Sequence, residues 1–368
     1  MDNLQENQAF LKEQIIAYLG NKRALLNFIL KGFKLAKKEL KKDKFSFLDM
    51  FSGSGVVSRF AKAHSNFIIA NDLENYSNII NKCYLSNINN DLLKNIYHFH
   101  KKLYENLILK SGFITELYAP KNDNDIQKNE RVFYTNKNAI FLDSMRQKIS
   151  KIIPNELQHF FIAPLIYEAS MYSNTCGVFK GFYKDKNGIG KFGGARANAL
   201  NRICKDIELK IPIFSNFHCP FEVFKKDANA LAKEIENIDV AYLDPPYNQH
   251  PYGSNYFMLN LIANYKKPHN ISKISGIPKE WNRSDFNKAY KAKEALYELI
   301  KDIKAKIILL SYNCEGFIKK QDFKKDLDKL GQCFVLEQDY NTFKASRNLA
   351  KRNIYVKEQL YILIKNKL

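Results

Sequence analysis

The feature that most constrains the fold is a glycine-rich turn between two short apolar segments. Residues 45–50 are apolar enough for a buried strand, and the turn Phe51-Ser-Gly-Ser-Gly55 follows directly. The pattern at 56–64 predicts a helix, and residues 67–70 predict a second strand that ends at Asn71-Asp72. The order strand, glycine-rich turn, helix and strand predicts a parallel α/β sheet with a ligand at the turn.

The turn also indicates the kind of ligand. Gly53 and Gly55 allow the backbone to approach a ligand closely, but Ser58 stands where a dinucleotide-binding pattern has its third glycine. In nucleotide-binding patterns an acid that binds the ribose hydroxyls follows the glycines by about 20 residues, and Asp72 lies close to that distance after Gly53. These residues favour a nucleoside over a pyrophosphate, although an ordinary strand-to-helix turn with a surface acid is the alternative.

A second constraint is the sequence Asp244-Pro-Pro-Tyr247, which follows an apolar strand predicted at 240–243. Each proline fixes its own φ and lacks a backbone N–H, so this loop is stiff. It displays a carboxylate, carbonyl oxygens and one aromatic ring. These groups suit a planar amine, because the oxygens can accept both hydrogens of an exocyclic NH2 while Tyr247 covers the ring. A plain exit from a strand is the alternative interpretation.

Taken together, these motifs resemble those of the Dam-like (alpha-class) DNA N6-adenine methyltransferases. The resemblance is carried by Asp49-Met-Phe-Ser-Gly-Ser-Gly55, Asn71-Asp-Leu-Glu74, Asp244-Pro-Pro-Tyr247 and, as an N-terminal cofactor motif, Tyr18-Leu-Gly-Asn-Lys-Arg23. It covers about residues 15–80 and 215–365. Asn21 stands where the family has a second glycine before the lysine. Asp227-Ala228 occupies the position that contacts the cofactor's adenine in the family.

The resemblance implies S-adenosyl-L-methionine as cofactor and methyl transfer to N6 of an adenine flipped out of duplex DNA. It implies catalytic roles for Asp244, Pro245, Pro246 and Tyr247, with no metal. The implied cofactor-binding residues are Tyr18, Gly20, Asn21, Lys22, Asp49, Phe51, Ser52, Gly53, Gly55, Asp72, Asp227 and Ala228. Asp227 can equally be a helix cap, since acids often follow strands in that role.

The expected fold is α/β, a Rossmann-like methyltransferase sheet that is mostly parallel with a C-terminal antiparallel hairpin. Residues 1–75 and 215–368 are expected to form the catalytic domain, and 76–214 a largely helical inserted region that recognises the DNA target. Within that insert, helical patterns span 78–109, 138–153 and 157–171. The C-terminal hairpin is predicted from apolar segments at 333–337 and 356–364.

The expected DNA contacts lie mainly in a glycine-rich, basic and aromatic loop at 174–194. Its cations can neutralise phosphates, although a hinge with solvated lysines is the alternative. The candidate DNA-binding residues are Lys180, Lys184, Lys191, Arg196, Asn255 and Tyr256. Asn255 and Tyr256 follow the catalytic loop, where they could equally be scaffold residues. A basic cluster of Arg347, Lys351, Arg352 and Lys357 is a second phosphate-binding candidate.

Composition agrees with a nucleic-acid partner. The net charge is +20 and the pI about 9.4, an excess that an anionic partner would balance. No apolar run approaches the roughly 20 residues that span a bilayer. The six cysteines show no metal-binding spacing, which favours free thiols in a reducing cytoplasm. The resemblance implies double-stranded DNA and a cognate restriction endonuclease as partners, and the composition predicts no membrane and no metal.

Four other functions remain open at this point. An RNA adenine-N6 methyltransferase would carry the same cofactor fold, and a non-catalytic nucleic-acid-binding relative would retain it without the chemistry. A nicotinamide oxidoreductase is disfavoured by Ser58. A methyltransferase of protein glutamine is disfavoured by Asp244, since asparagine is more usual there.

Overall fold

The computed structural model describes residues 5–194, 197–314, 316–341 and 355–366. Within these residues the chain forms helices α1 (Gln8–Lys12), α2 (Leu26–Leu40), α3 (Val56–Ala61), α4 (Asn75–Leu85), α5 (Asn90–Tyr104), α6 (Phe113–Tyr118), α7 (Asn136–Ile152), α8 (His159–Met171), α9 (Leu200–Ile203), α10 (Ala228–Ala232), α11 (Tyr252–Asn255), α12 (Phe257–Asn264), α13 (Ala289–Asp302) and α14 (Lys320–Leu327). The strands are β1 (Phe45–Asp49), β2 (Ser65–Asn71), β3 (Phe221–Phe224), β4 (Ile238–Leu243), β5 (Ala305–Asn313), β6 (Gly331–Asn341) and β7 (Tyr355–Lys365).

The strands form one twisted sheet in the order β3-β2-β1-β4-β5-β7-β6. The first five strands are parallel, and β7 runs antiparallel to both β5 and β6. This confirms the predicted Rossmann-like sheet with its antiparallel C-terminal hairpin. The chain winds outward in opposite directions from β1 and β4, so a crevice opens at their carboxyl ends.

Apolar side chains cover both faces of the sheet, which is why its central strands are apolar throughout. Every residue of β4 is buried. On one face α2 packs through Phe33 against Phe47 of β1. On the other face, Leu299 of α13 and Phe323 of α14 belong to a second core that includes Leu243.

A third core joins the helices after β2 to the segment that follows the Asp244-Pro-Pro-Tyr247 loop. It contains residues of α4 to α8 together with Phe257, Leu259 and Ile262 of α12. The predicted single helix at 78–109 was wrong, because the chain breaks between α4 and α5. Ser86 turns to extended backbone after α4, and the Asn89 side chain then accepts the Leu92 N–H as a new helix cap.

None of the helices in the described ranges is long and apolar enough to cross a bilayer. The same part of the chain has no group of three or more His, Cys, Asp or Glu side chains placed to hold a metal ion. The six cysteines are all free thiols.

Candidate active site

A cleft of about 710 Å³, including its open mouth, lies at the carboxyl ends of β1 and β4. Most of the predicted cofactor residues meet there. The cleft is lined by Tyr18, Gly20, Phe51, Gly53, Asp72, Asp227, Ala228, Asp244 and Pro246, among others. A smaller cavity beside it shares Tyr18, Gly20, Phe51, Gly53 and Asp244, and adds Asn21, Lys22, Asp49 and Ser52. The sheet therefore gathers motifs that lie far apart in the sequence into one site.

Asp244 is held by a buried ion network. The Lys22 ammonium lies 3.1 Å from Asp244 Oδ1 and 2.8 Å from Glu358 Oε1. Ser311 of β5 donates a hydrogen bond to the same Glu358 oxygen at 2.9 Å. Lys22 and Glu358 are 4% and 3% exposed, so water barely screens their charges. The network fixes Asp244 at the floor of the cleft.

Burial raises the pKa of Asp244 from its ordinary value to about 6. The Lys22 charge opposes this rise, while the negative charge of Glu358 adds to the increase in the Asp244 pKa. The pKa of Lys22 is itself raised, since the two carboxylates outweigh the effect of burial. Asp244 is therefore ionised at neutral pH, but its protonation lies within reach of mild acid.

The glycine-rich turn brings backbone to the floor of the cleft. Gly53 has φ +50°, and its N–H donates to Asp72 Oδ2 at 2.8 Å. A Cβ on Gly53 would lie 2.8 Å from Tyr18 Cε1, closer than carbon atoms approach. Gly55, at φ +75°, immediately precedes α3 as its N-cap, and Ser52 Oγ donates to Asn71 O at 2.9 Å, which ties the turn to β2. Both positions therefore favour glycine because φ is positive, and at position 53 there is also no space for a Cβ.

Asp49 ends β1 beneath this turn and is completely buried. Ser58 donates to its Oδ2 at 2.6 Å, whereas Oδ1 has no hydrogen-bond partner among the residues the structure describes. Burial raises the pKa of Asp49 to about 7, and the Ser58 hydrogen bond limits the rise. Ser58 thus has a structural reason to replace a third glycine, because its hydroxyl binds the carboxylate at the end of β1.

The N-terminal motif is clamped against the segment that follows the catalytic loop. Tyr18 stacks on Tyr252 and Tyr256 with ring centroids 5.0 and 4.6 Å away. The Leu19 N–H donates to Tyr256 Oη at 2.7 Å, and Tyr252 Oη donates to Leu19 O at 3.2 Å. Asn21 accepts the Arg23 N–H and so caps the turn that carries Lys22. These contacts fix the position of Gly20 at the cleft.

A buried guanidinium holds the segment that leads into this motif. Arg59 of α3 donates to the carbonyls of Phe10, Glu13 and Gln14 at 2.8–3.1 Å. Its guanidinium carbon also lies 3.5 Å from the centre of the Tyr84 ring, a cation–π contact. The N-terminal segment is therefore anchored to the helix that follows the glycine-rich turn.

Aromatic side chains line the part of the cleft where a planar base would fit. Phe51 and Phe286 meet edge to face, with centroids 5.1 Å apart, and Ala228 lies at the same cleft. Asp227 accepts the N–H groups of Asn229 and Ala230, so it caps α10 as well as lining the cleft. Tyr247 packs edge to face on Tyr312 at 6.0 Å and is partly exposed.

The loop at 174–194 lies next to residues 250–255, which follow the Asp244-Pro-Pro-Tyr247 loop. Its turn is a short hairpin, closed by the pair Lys184–Gly190 and by the Lys191 N–H bond to Tyr183 O. The Phe179 N–H donates to Asn255 O at 2.7 Å, and Lys180 Nζ lies 3.4 Å from His250 Nδ1.

The exposed Lys180 thus lies beside the segment that follows the Asp244-Pro-Pro-Tyr247 loop, and Lys184 and Lys186 are exposed on the hairpin. Arg196 lies outside the described residues, as do Arg347, Lys351 and Arg352 of the second basic cluster. Asn255 and Tyr256 are both buried. Tyr256 supports the N-terminal motif through Leu19, as described above.

Sequence patterns did not reveal several residues that shape the cleft. Glu358 has no motif around it, and only its pairing in the sheet brings it to Lys22. Glu74 ends the motif Asn71-Asp-Leu-Glu74, but the motif predicts no role for it. Its Oε2 accepts the side-chain N–H groups of Asn260 and Asn282, and burial raises its pKa to about 7. Tyr252 could have been found from its place in the aromatic segment after the catalytic loop.

The sheet order, the cleft at the switch point and the Asp-Pro-Pro-Tyr loop define a Rossmann-like methyltransferase. The model of the D12 class N6 adenine-specific DNA methyltransferases matches residues 18–325, and the chain belongs to this family. The resemblance drawn from the motifs is thereby confirmed.

Individual relatives span most of the chain. It is 29% identical to the Type II methyltransferase M.CviAII of Paramecium bursaria Chlorella virus 1 and 28% identical to the Type II methyltransferase M.NlaIII of Neisseria lactamica. Each match covers 90% of this chain and 93% of the relative. A 27% match to the Type II methyltransferase M.FokI of Planomicrobium okeanokoites covers 89% of this chain and 48% of that protein.

Proposed function

We propose that this enzyme transfers a methyl group from S-adenosyl-L-methionine to N6 of a flipped-out adenine in duplex DNA. One observation carries the proposal: the Asp244 carboxylate belongs both to the nucleoside-sized cleft and to the smaller cavity beside it. A carboxylate at such a junction can hold a target amine next to a bound donor. Family membership supports the same chemistry.

The side chains that line the cleft suit S-adenosyl-L-methionine in charge and polarity. Asp72 is placed for ribose hydroxyls, and the rings of Phe51 and Phe286 offer apolar surface for an adenine. Asp49 lines the smaller cavity, and its Oδ1 has no hydrogen-bond partner in the described part of the chain, so its carboxylate would attract the positive charge of the cofactor's methionine end. This acidic, aromatic lining suits a nucleoside that carries positive charge.

The bound cofactor supplies a methyl group activated by a sulfonium. The protein's part is to position the acceptor. Asp244 Oδ atoms and the Pro245 carbonyl would accept the two N6 hydrogens, which directs the nitrogen lone pair toward the donor. Tyr247 would stack on the extruded base and offset part of the cost of flipping, by roughly 1–3 kcal/mol. Asp244 can also accept the proton released from N6 after transfer.

We further propose that residues 76–214 form the target-recognition region and that residues 1–75 and 215–368 form the catalytic domain. Lys180, Lys184 and Lys191 would neutralise phosphates near the mouth of the cleft. We also place the enzyme in a restriction–modification system with a cognate endonuclease, because M.CviAII and M.NlaIII carry Type II names.

Sequencing modified adenines in DNA from cells that express the chain tests this proposal. The wild type should methylate adenine within one short sequence, and Asp244→Ala should leave that sequence unmodified while the protein remains folded. Incubation with RNA in place of DNA distinguishes the substrates. Methylation of RNA alone, or full DNA methylation by Asp244→Ala, would refute the proposal.

A further inference from the structure

A second cleft lies directly beside the candidate active site. It measures about 980 Å³ including its open mouth, and it shares Gly253 and Asn282 with the active-site cleft. We call it the lysine groove. Its charged and aromatic lining residues are Lys225, Phe257, Lys266, Lys267, His269, Glu280 and Trp281.

The charge of the lysine groove fits a polyanion. Three lysines face it against one glutamate, Glu280, and a second acid, Glu116, pairs with Lys267 at 2.6 Å. Lys225 and Lys266 are exposed. The lining also contains two exposed asparagines, Asn264 and Asn270, whose amides can donate hydrogen bonds to phosphate oxygens. Because Gly253 and Asn282 line both the groove and the active-site cleft, a strand lying in the groove would pass next to a base held in the cleft.

A short hairpin at 271–278 borders the groove. It is closed by the pair Ile271–Pro278, and its tip carries Ile274, whose side chain is 72% exposed. Lys273 stands beside Ile274 and is also exposed. A large apolar side chain beside a lysine suits the contact of a base face with a neighbouring phosphate.

The hairpin is held firmly on the helical part of the protein. The Arg131 guanidinium donates to the carbonyls of Ser272 and Lys273 at 3.3 and 3.0 Å, and Tyr118 Oη donates to Gly276 O at 2.8 Å. Gly276, at φ +70°, packs so closely that a Cβ there would lie 2.7 Å from Tyr118 and from Arg131. A fixed backbone therefore presents the exposed Ile274.

We propose that the lysine groove and this hairpin form a DNA-binding surface distinct from the loop at 174–194. Lys225 and Lys266 hold a phosphodiester strand beside the active-site cleft, and Ile274 packs against a base step next to the flipped adenine. The proposal rests on the proposed function, since it assumes that a base from duplex DNA enters the cleft.

Salt dependence of DNA binding tests the groove. The double variant Lys225→Ala/Lys266→Ala should flatten the slope of log K against log salt by about two, because each lost phosphate contact removes about 0.9. The double variant Lys31→Ala/Lys34→Ala removes the same charge from exposed positions on α2 and should leave the slope unchanged. Equal slopes for the two double variants would refute the groove's role.

Base-flipping fluorescence tests the hairpin. The duplex carries 2-aminopurine at the adenine that the wild-type enzyme methylates. Ile274→Ser should lower the fluorescence gained on binding, and methylation at limiting DNA, by roughly tenfold. Ile274→Leu should restore both. Ile108→Ser is the matched control, since Ile108 is 71% exposed and lies outside the groove lining.

The outcomes separate this inference from the proposed function. If the wild type methylates no adenine in DNA, the proposed function fails first and no probe duplex can be defined. If the wild type methylates its site, and Ile274→Ser matches Ile108→Ser in fluorescence and rate, the inference fails alone.

Discussion

The Lys22 ammonium lies 3.1 Å from Asp244 and 2.8 Å from Glu358, so one buried charge joins the catalytic loop to the last strand. The strand β7 lies between β5 and β6 and pairs Glu358 with Asn313 of β5, which brings the Glu358 carboxylate within 2.9 Å of the Ser311 hydroxyl. The protonation of Asp244 therefore depends on two fixed neighbours, the positively charged Lys22 and the negatively charged Glu358.

The pH dependence of methyl transfer should report this network. Asp244 must be ionised to accept the N6 hydrogens, and its pKa is about 6, so the rate should fall as the pH drops through about 6. Glu358 raises the Asp244 pKa, so Glu358→Gln should lower it and move the acidic limb of the kcat profile to lower pH. A limb that stays in place, or moves upward, would show that Glu358 does not act on Asp244.

Cofactor binding should depend on the absence of a side chain at position 53. Gly53→Ala places a Cβ 2.8 Å from Tyr18 Cε1 and strains a backbone at φ +50°, so affinity for S-adenosylhomocysteine should fall by roughly tenfold or more. Isothermal titration calorimetry measures this affinity. Gly188→Ala is the matched control, because Gly188 also has positive φ, at +81°, but its Cβ would meet nothing within 4 Å. Equal affinities of Gly53→Ala and Gly188→Ala for S-adenosylhomocysteine would show that a side chain at position 53 does not disturb the cofactor site.

The Tyr256 hydroxyl should support both stability and cofactor binding. Tyr256→Phe leaves the Leu19 N–H without its acceptor, which should lower the free energy of unfolding by about 1–3 kcal/mol. It should also weaken cofactor binding, because Leu19 lines the cleft. Denaturant unfolding measures the first effect and calorimetry the second. Tyr290→Phe, at a residue 79% exposed, should change neither quantity.

The loop at 174–194 should contribute to the salt dependence of DNA binding. Lys180→Ala/Lys184→Ala removes two exposed cations from this loop, so the slope of log K against log salt should become shallower by about two. Filter binding at several salt concentrations measures the slope. A value equal to that of Lys31→Ala/Lys34→Ala would place the phosphate contacts elsewhere.

The local motifs could be predicted because each depends on neighbouring residues. The glycine-rich turn shows in the alternation of glycine and serine at 52–55, and the stiff loop shows in two consecutive prolines. The strands around them are apolar because both faces of the sheet are covered.

The remaining features depend on contacts between distant residues. Lys22 and Glu358 are 336 positions apart, and only strand pairing brings them together. Ser58 departs from a glycine pattern, and its hydrogen bond to Asp49 becomes visible only in the folded turn. The break between α4 and α5 was missed because apolar residues continue through it, although Asn89 is a capping residue by type.

The central claim is that Asp244 holds the target adenine beside the cofactor cleft. A crystal structure with sinefungin and duplex DNA containing the methylated sequence tests it most directly. We expect sinefungin in the cleft that Gly53 and Asp72 line, with the N6 amine of an extruded adenine within hydrogen-bonding distance of Asp244. Sinefungin bound elsewhere, or an adenine whose N6 lies far from Asp244, would contradict the account.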